Sequence, residues 1–126
     1  MSKRIIKTKN ASLPVGPYNQ AVGIGNLIYT AGQIPLDKAG NIVPGGIKEQ
    51  TKQVLENVKA VIEAGGSSLD KVVKATVFLK DLHDFAGMNE IYGQYFKPDN
   101  APARTTIQVA RIPKDSLVEI EVVAHI

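Results

Sequence analysis

The sequence predicts an α+β fold, a mixed sheet with two helices packed on one face. Short β-branched or alternating apolar runs stand at both ends of the chain and around residues 72–79. Apolar side chains switch to helical spacing from Ile47 and again after Asp84. The resulting order, β-β-β-α-β-α-β-β, contains two helix crossovers that return to one sheet, which places both helices on the same side.

The Ile5-Ile6 pair within Arg4 to Lys7 reads as a first strand. The stretch NASLPVGPYNQ that follows holds Pro14, Gly16 and Pro17 and is excluded from regular helix. Ala21 to Ile24 and Leu27 to Ala31 flank Gly25-Asn26, a two-residue hairpin signal. Gln33 to Gly46 is a loop rich in proline and glycine. From Ile47 the residues Val54, Leu55, Val58 and Ile62 share one helical face, and the helix is expected to run to about Ala64, stopped by Gly65-Gly66, with Lys59 and Glu63 able to pair on its wet side. Val72 to Leu79 reads as a central strand. Asp84 is the expected cap of a second helix whose stripe is Phe85, Met88, Ile91, Tyr92 and Tyr95, ended by Pro98. Thr105 to Ala110 and Leu117 to Ala124 complete the sheet. In the last strand Val118, Ile120, Val122 and Ala124 point one way and Leu117, Glu119, Glu121 and Val123 the other, a half-charged face expected to be partly buried against another subunit.

Composition narrows the function. A chain of 126 residues is expected to form a single domain, 1–126. The absence of cysteine removes disulfides, thiolate ligands and a cysteine nucleophile, and two histidines are too few for most zinc sites. The start MSKRIIKTKN lacks the apolar run of a secretory signal, and no segment has the length of a membrane span, so a cytoplasmic protein is expected. The pI near 9.2 invites a nucleic-acid reading, but the lysines are scattered, which argues against nucleic acid as a partner. The motifs GxxxxGK[ST], HExxH and GxSxG are all absent. Chemistry therefore falls to a carboxylate, an arginine, a tyrosine, a hydroxyl or the backbone.

The chain has twelve lysines and only three arginines, Arg4, Arg104 and Arg111. Arg104 lies where a proline-containing loop enters a predicted strand. Its planar fork matches a carboxylate with two parallel hydrogen bonds, which lysine does not. A strand-end arginine in an ion pair is the plainer reading of the same residue.

The runs PVGPYNQA (Pro14–Ala21), YTAGQIP (Tyr29–Pro35), KATVFLKDLHDFAGMNEIY (Lys74–Tyr92), PAR (Pro102–Arg104) and VARIPKDSLVEIEVVA (Val109–Ala124) closely resemble the RidA group of the Rid (YjgF) family, the reactive-intermediate deaminases, across essentially the whole chain. The resemblance implies a chorismate-mutase-like subunit and a homotrimer with helices outside, sheets inside and active sites between subunits. It implies hydrolysis of 2-imino acids or their enamine tautomers, such as 2-iminobutanoate and 2-iminopropanoate, to 2-oxo acids and ammonia, with no cofactor and no metal.

By the same resemblance Arg104 matches the arginine that holds the substrate carboxylate, Glu119 the acid that positions the attacking water, and Tyr18 the pocket tyrosine. Gly32, Asn89 and Thr106 match further pocket positions. Ala31 stands where many relatives have serine and Thr106 where many have cysteine, so a hydroxyl contact at Ala31 must pass to water or backbone, and Thr106 must act through backbone or hydroxyl. Two other readings differ in class: a trimeric regulatory module that binds a small carboxylate without turnover, and RNA cleavage or translation inhibition, which has been attached to some relatives.

Overall fold

The computed structural model describes residues 2–126; Met1, the first residue of the expected 1–126 unit and of its charged start, lies outside the described residues. Strands β1 (Arg4–Ile6), β2 (Ala21–Ile24) and β3 (Leu27–Thr30) precede helix α1 (Ile47–Ala64). Then come β4 (Val72–Leu79), α2 (Phe85–Tyr95), β5 (Ala103–Gln108) and β6 (Val118–His125). They form one six-stranded sheet in the order β1-β2-β3-β6-β4-β5. Only β4 and β5 pair in parallel. The sheet is therefore mixed, and the α+β expectation holds.

Gly25, at φ +55°, makes the tight turn that lets Ile24 pair with Leu27. Helix α1 begins after Gly46, whose N–H donates to the Glu49 carboxylate at 2.8 Å, satisfying one of the free amides of the first turn. It buries Val54, Leu55, Val58, Val61 and Ile62 completely. Each such side chain contributes about 1.5–3 kcal/mol on leaving water, and Leu55→Ala would cost about 2–5 kcal/mol. Met88 and Tyr92 of α2 join the same core with Ala75, Val77, Leu79, Val118, Ile120 and Val122 of the sheet, so both helices cover one face, as the crossovers require.

Four local expectations are corrected. Asp84 precedes α2 but makes no side-chain cap bond; a 3₁₀ turn, Leu82–Asp84, intervenes, and Asp81 accepts from the His83 N–H at 2.8 Å. Lys59 and Glu63 form no ion pair, whereas Lys48 of α1 reaches Glu90 of α2 at 2.8 Å, because the two helices pack side by side and the partner lies across the gap. Strand β5 begins at Ala103, so Arg104 stands inside the strand and not at its mouth. Strand β6 runs one residue further, to His125, held by the pairing with Leu27.

The other sheet face carries Ile5, Ile24, Leu27, Tyr29 and Ile107, each 37–47% exposed. Pairing groups Ile5, Ile24, Leu27 and Tyr29 with Val123 in one patch and Ile107 with Phe78 in another, with Thr76 and Glu121 between them. One end of this face is covered by a small second cluster, Ile34, Leu36 and Ile112, against which Phe78 packs.

Candidate functional site

The expected site residues fall into two groups on opposite faces of the sheet. The first is built where β3 leaves its ladder with β6. Tyr29 pairs with Val123, but the next bridge joins Gln33 to Ile120, so β3 advances four residues while β6 advances three. That extra residue is a bulge, a common device for re-aiming a side chain, here between the two central strands of the sheet. Gly32 sits in it, and the Glu119 side chain lies against its Cα. A methyl at Gly32 would overlap Glu119 Oε2 and stand 2.8 Å from the carboxyl carbon, so glycine is required for the carboxylate to occupy this place. Glu119 is half-buried there. Burial first, and the like charge of Glu121 second, hold its carboxyl above the usual range.

Tyr18 lines the same small cavity as Gly32, with Ser12, Leu13 and Pro14 on the loop before it. Its ring lies over Gly16, and its hydroxyl accepts the Val15 N–H at 3.3 Å, leaving the phenolic proton to point elsewhere. Gln20 anchors this loop: it is buried, accepts from the Thr8 N–H and donates to the carbonyls of Thr8 and Ser12. Neither backbone group of Ala31 is free, since its N–H donates to the Gln20 carbonyl at 2.8 Å and its carbonyl accepts from the Gln33 side chain at 3.3 Å.

The second group is on β5 and α2. Arg104 pairs across β4 with Ala75, itself opposite Val122, and Thr106 with Val77, opposite Ile120. Those partners are core residues under the helices, so Arg104 and Thr106 project to the helix side. The guanidinium carbon stands 4.6 Å from the centroid of the Tyr92 ring and 5.6 Å from that of Phe85. Such stacking contributes about 0.5–1 kcal/mol when exposed and about 2 kcal/mol when desolvated. Among the described residues Arg104 pairs with no carboxylate. The hydroxyls of Tyr92 and Thr106 are buried without a hydrogen-bond partner. Burial pushes the Tyr92 phenol up, and the charge of Arg104 and the approach of its guanidinium to the hydroxyl work against that shift. Asn89 is half-buried on α2, on the stripe between Phe85 and Tyr92.

Glu119 pairs with Phe78 and Arg104 with Ala75, an odd number of residues apart on β4, so the two side chains leave the sheet in opposite directions. One chain thus brings together Tyr18, Gly32 and Glu119, and separately Arg104, Asn89 and Thr106. It does not bring the two sets together.

A family profile described as "Endoribonuclease L-PSP" matches residues 8–126. A RutC family protein of Pyrococcus abyssi is 55% identical over 126 aligned residues, covering 99% of this chain and 98% of the relative. A solved structure described as a conserved Rid family protein from Yersinia pestis superposes with a TM-score of 0.95 at 43% identity, over 99% of this chain and 100% of that one. The chain belongs to the Rid (YjgF) family. E. coli TdcF with bound serine is also similar, at 44% identity and a TM-score of 0.91, with 98% of each chain covered.

Among the described residues of this Rid chain no cluster of His, Asp or Glu is arranged to hold a metal ion, and no helix is long and apolar enough to cross a membrane. Sequence reasoning missed Tyr92 and Phe85, which it read only as core stripe. The one signal available was their spacing from Asn89, three and four residues away, which puts all three on one helix face.

Proposed function

We propose that the protein hydrolyses small 2-imino acids, or their enamine tautomers, to 2-oxo acids and ammonia, in sites formed between copies of the chain. The observation that carries this reading is the pair of incomplete half-sites: a guanidinium without a counter-ion on one face, and a half-buried carboxylate without a cation on the other. A neighbouring copy completes each.

In such a site Arg104 grips the substrate carboxylate by its fork, an interaction of about 1.5–3 kcal/mol for hydrogen bonds to charged groups. Glu119 takes a proton from water as the oxygen attacks the C=N carbon. The resulting carbinolamine receives that proton on nitrogen, and as the C–N bond breaks its hydroxyl proton passes back to the Glu119 carboxylate and on to solvent, so that ammonia leaves behind a 2-oxo acid. A carboxylate whose proton affinity is raised suits both halves of this transfer, since base strength nearer the working pH improves general-base catalysis of roughly 10²- to 10⁴-fold. Tyr18 covers the cavity beside Glu119, and Thr106 and Asn89 supply hydrogen-bonding groups beside Arg104. That TdcF binds serine, a small amino acid with the same carboxylate, is consistent with this substrate class.

The second copy is the natural occupant of the apolar sheet face. The exposed side chains Ile5, Ile24, Leu27 and Tyr29, and Ile107 further along the same face, would otherwise stand in water. A homotrimer with sheets inward covers it and meets the half-sites face to edge.

The test is acceleration of 2-iminobutanoate or 2-iminopropanoate decay, with the imine made in situ by a dehydratase. The wild type accelerates it and Arg104→Ala falls to background; an equally active Arg104→Ala overturns the reading. Mixing unfolded Arg104→Ala and Glu119→Gln chains and refolding them together restores about one quarter of the sites when each site draws its two residues from different copies, and none when it does not. Titration with 2-oxobutanoate that shows binding but no acceleration identifies a regulatory module instead. RNA cleavage that survives loss of both Arg104 and Glu119 in repurified protein would support the activity named in the family profile.

A further inference from the structure

We propose that Tyr92, with Phe85, is the device that positions Arg104 for its anionic ligand, holding the guanidinium by its flat face so that the N–H edge and the full positive charge remain available. This rests on the reading that Arg104 receives a carboxylate.

An arginine can be held in place by an acid, by carbonyls or by aromatic rings. An acid would neutralise the charge and occupy the same N–H fork that the ligand needs. A ring binds the cation through its face and spends no N–H donor. The surroundings of Arg104 follow the second plan: two rings at 4.6 and 5.6 Å and, among the described residues, no paired carboxylate.

The arrangement is also stiff. Tyr92 is only 6% exposed, and its ring packs against Phe96 with centroids 4.7 Å apart at 41°. Met88, one turn earlier, is completely buried. The rigid core of α2 thus reaches Arg104 through Tyr92, while Phe85, 42% exposed, flanks it on the open side. Lysine would not serve at position 104, having neither a plane to stack nor a fork to present. The Tyr92 hydroxyl meets no full hydrogen-bond geometry although the Arg104 guanidinium stands beside it, so the ring carries the role and Tyr92→Phe measures the hydroxyl's share.

The experiment compares Tyr92→Leu, Tyr92→Phe and Phe85→Leu with wild type. It measures kcat and KM for in situ 2-iminobutanoate, the Kd of 2-oxobutanoate by calorimetry, and the melting temperature. Tyr92→Leu is expected to raise KM and Kd about 5- to 30-fold while kcat falls no more than about twofold, and Tyr92→Phe to recover most of that loss. Phe85→Leu is expected to raise Kd about threefold. A purely structural role for Tyr92 would lower the melting temperature and leave KM and Kd in place; that result, a loss confined to kcat, or a Tyr92→Phe as impaired as Tyr92→Leu overturns the proposal. Should Tyr92→Leu fail to fold, an unchanged Kd in Phe85→Leu overturns it alone. Wild type that binds 2-oxobutanoate without accelerating imine decay ends the deaminase reading but leaves the binding arm to decide this one. Wild type that does not bind 2-oxobutanoate ends the proposal directly.

Discussion

Arg104 and Glu119 are charged groups on adjoining parts of one sheet, yet the fold holds them by opposite means. Arg104 is fixed by what has been added beside it, two aromatic rings on α2. Glu119 is fixed by what has been left out, the side chain at Gly32. The cation has no counter-ion, whereas the acid has a like-charged neighbour, Glu121, and loses part of its hydration. Both arrangements leave a charge poorly compensated within one chain, which costs stability. A fold that keeps such costs on both faces presents two halves of an ion-binding site and depends on another molecule to satisfy them.

The largest loss is expected at Glu119. Glu119→Gln removes the proton acceptor and is expected to lower kcat about 10²- to 10⁴-fold with KM little changed, measured on in situ imine. The same change has a stability consequence whose sign follows from the shift. Because the folded state holds the Glu119 proton more tightly than the unfolded chain, this carboxyl favours folding at low pH and the benefit is lost as pH rises through its raised pKa. In the dissociated single chain Glu119→Gln is therefore expected to melt higher than wild type at neutral pH, with the gain shrinking in acid; a lower melting temperature of that chain at neutral pH would contradict the burial cost assigned to the carboxylate.

Gly32→Ala attacks the same half-site through space. The new methyl must push aside the carboxylate end of a flexible side chain, so a small destabilisation of about 1 kcal/mol is expected together with a rate loss of about tenfold or more. Retention of full activity would show that the carboxylate position is not critical. Gly66→Ala provides the contrast: its backbone is at φ +92° with open space around it, so stability falls by about 1 kcal/mol through the backbone while catalysis is spared. The smallest effect belongs to Glu121→Gln. Removing the like charge lowers the proton affinity of Glu119, so the acidic limb of the pH–rate profile is expected to move to lower pH with the plateau unchanged. An unmoved limb would leave burial as the sole cause.

Much of the fold was legible in the residues. The Gly25-Asn26 hairpin signal between Ala21–Ile24 and Leu27–Ala31, the second of which stops one residue early at Thr30, helical spacing from Ile47 to Ala64, and the β-branched run Val72–Leu79 each describe local preferences that the packed chain keeps. Pairings between elements were less legible. The choice of Glu90 over Glu63 as neighbour to an α1 lysine depends on how two helices lie together, which helical spacing within α1 does not contain. The same holds for the site. Arg104, Glu119, Gly32 and Tyr18 stand out in the sequence as residue types and through family resemblance, but the rings around Arg104 looked like ordinary core.

The sequence by itself determined the elements, their order, the absence of thiol chemistry and the scarcity of arginine that singled out Arg104, because these depend on composition and on neighbours a few residues apart. Only the tertiary structure decided that Arg104 and Glu119 leave opposite faces of the sheet, that a bulge makes Gly32 the seat of the carboxylate, and that Tyr92 lies beneath the guanidinium. Those facts depend on strand register, and a shift of one residue in register sends every side chain of a strand to the other face.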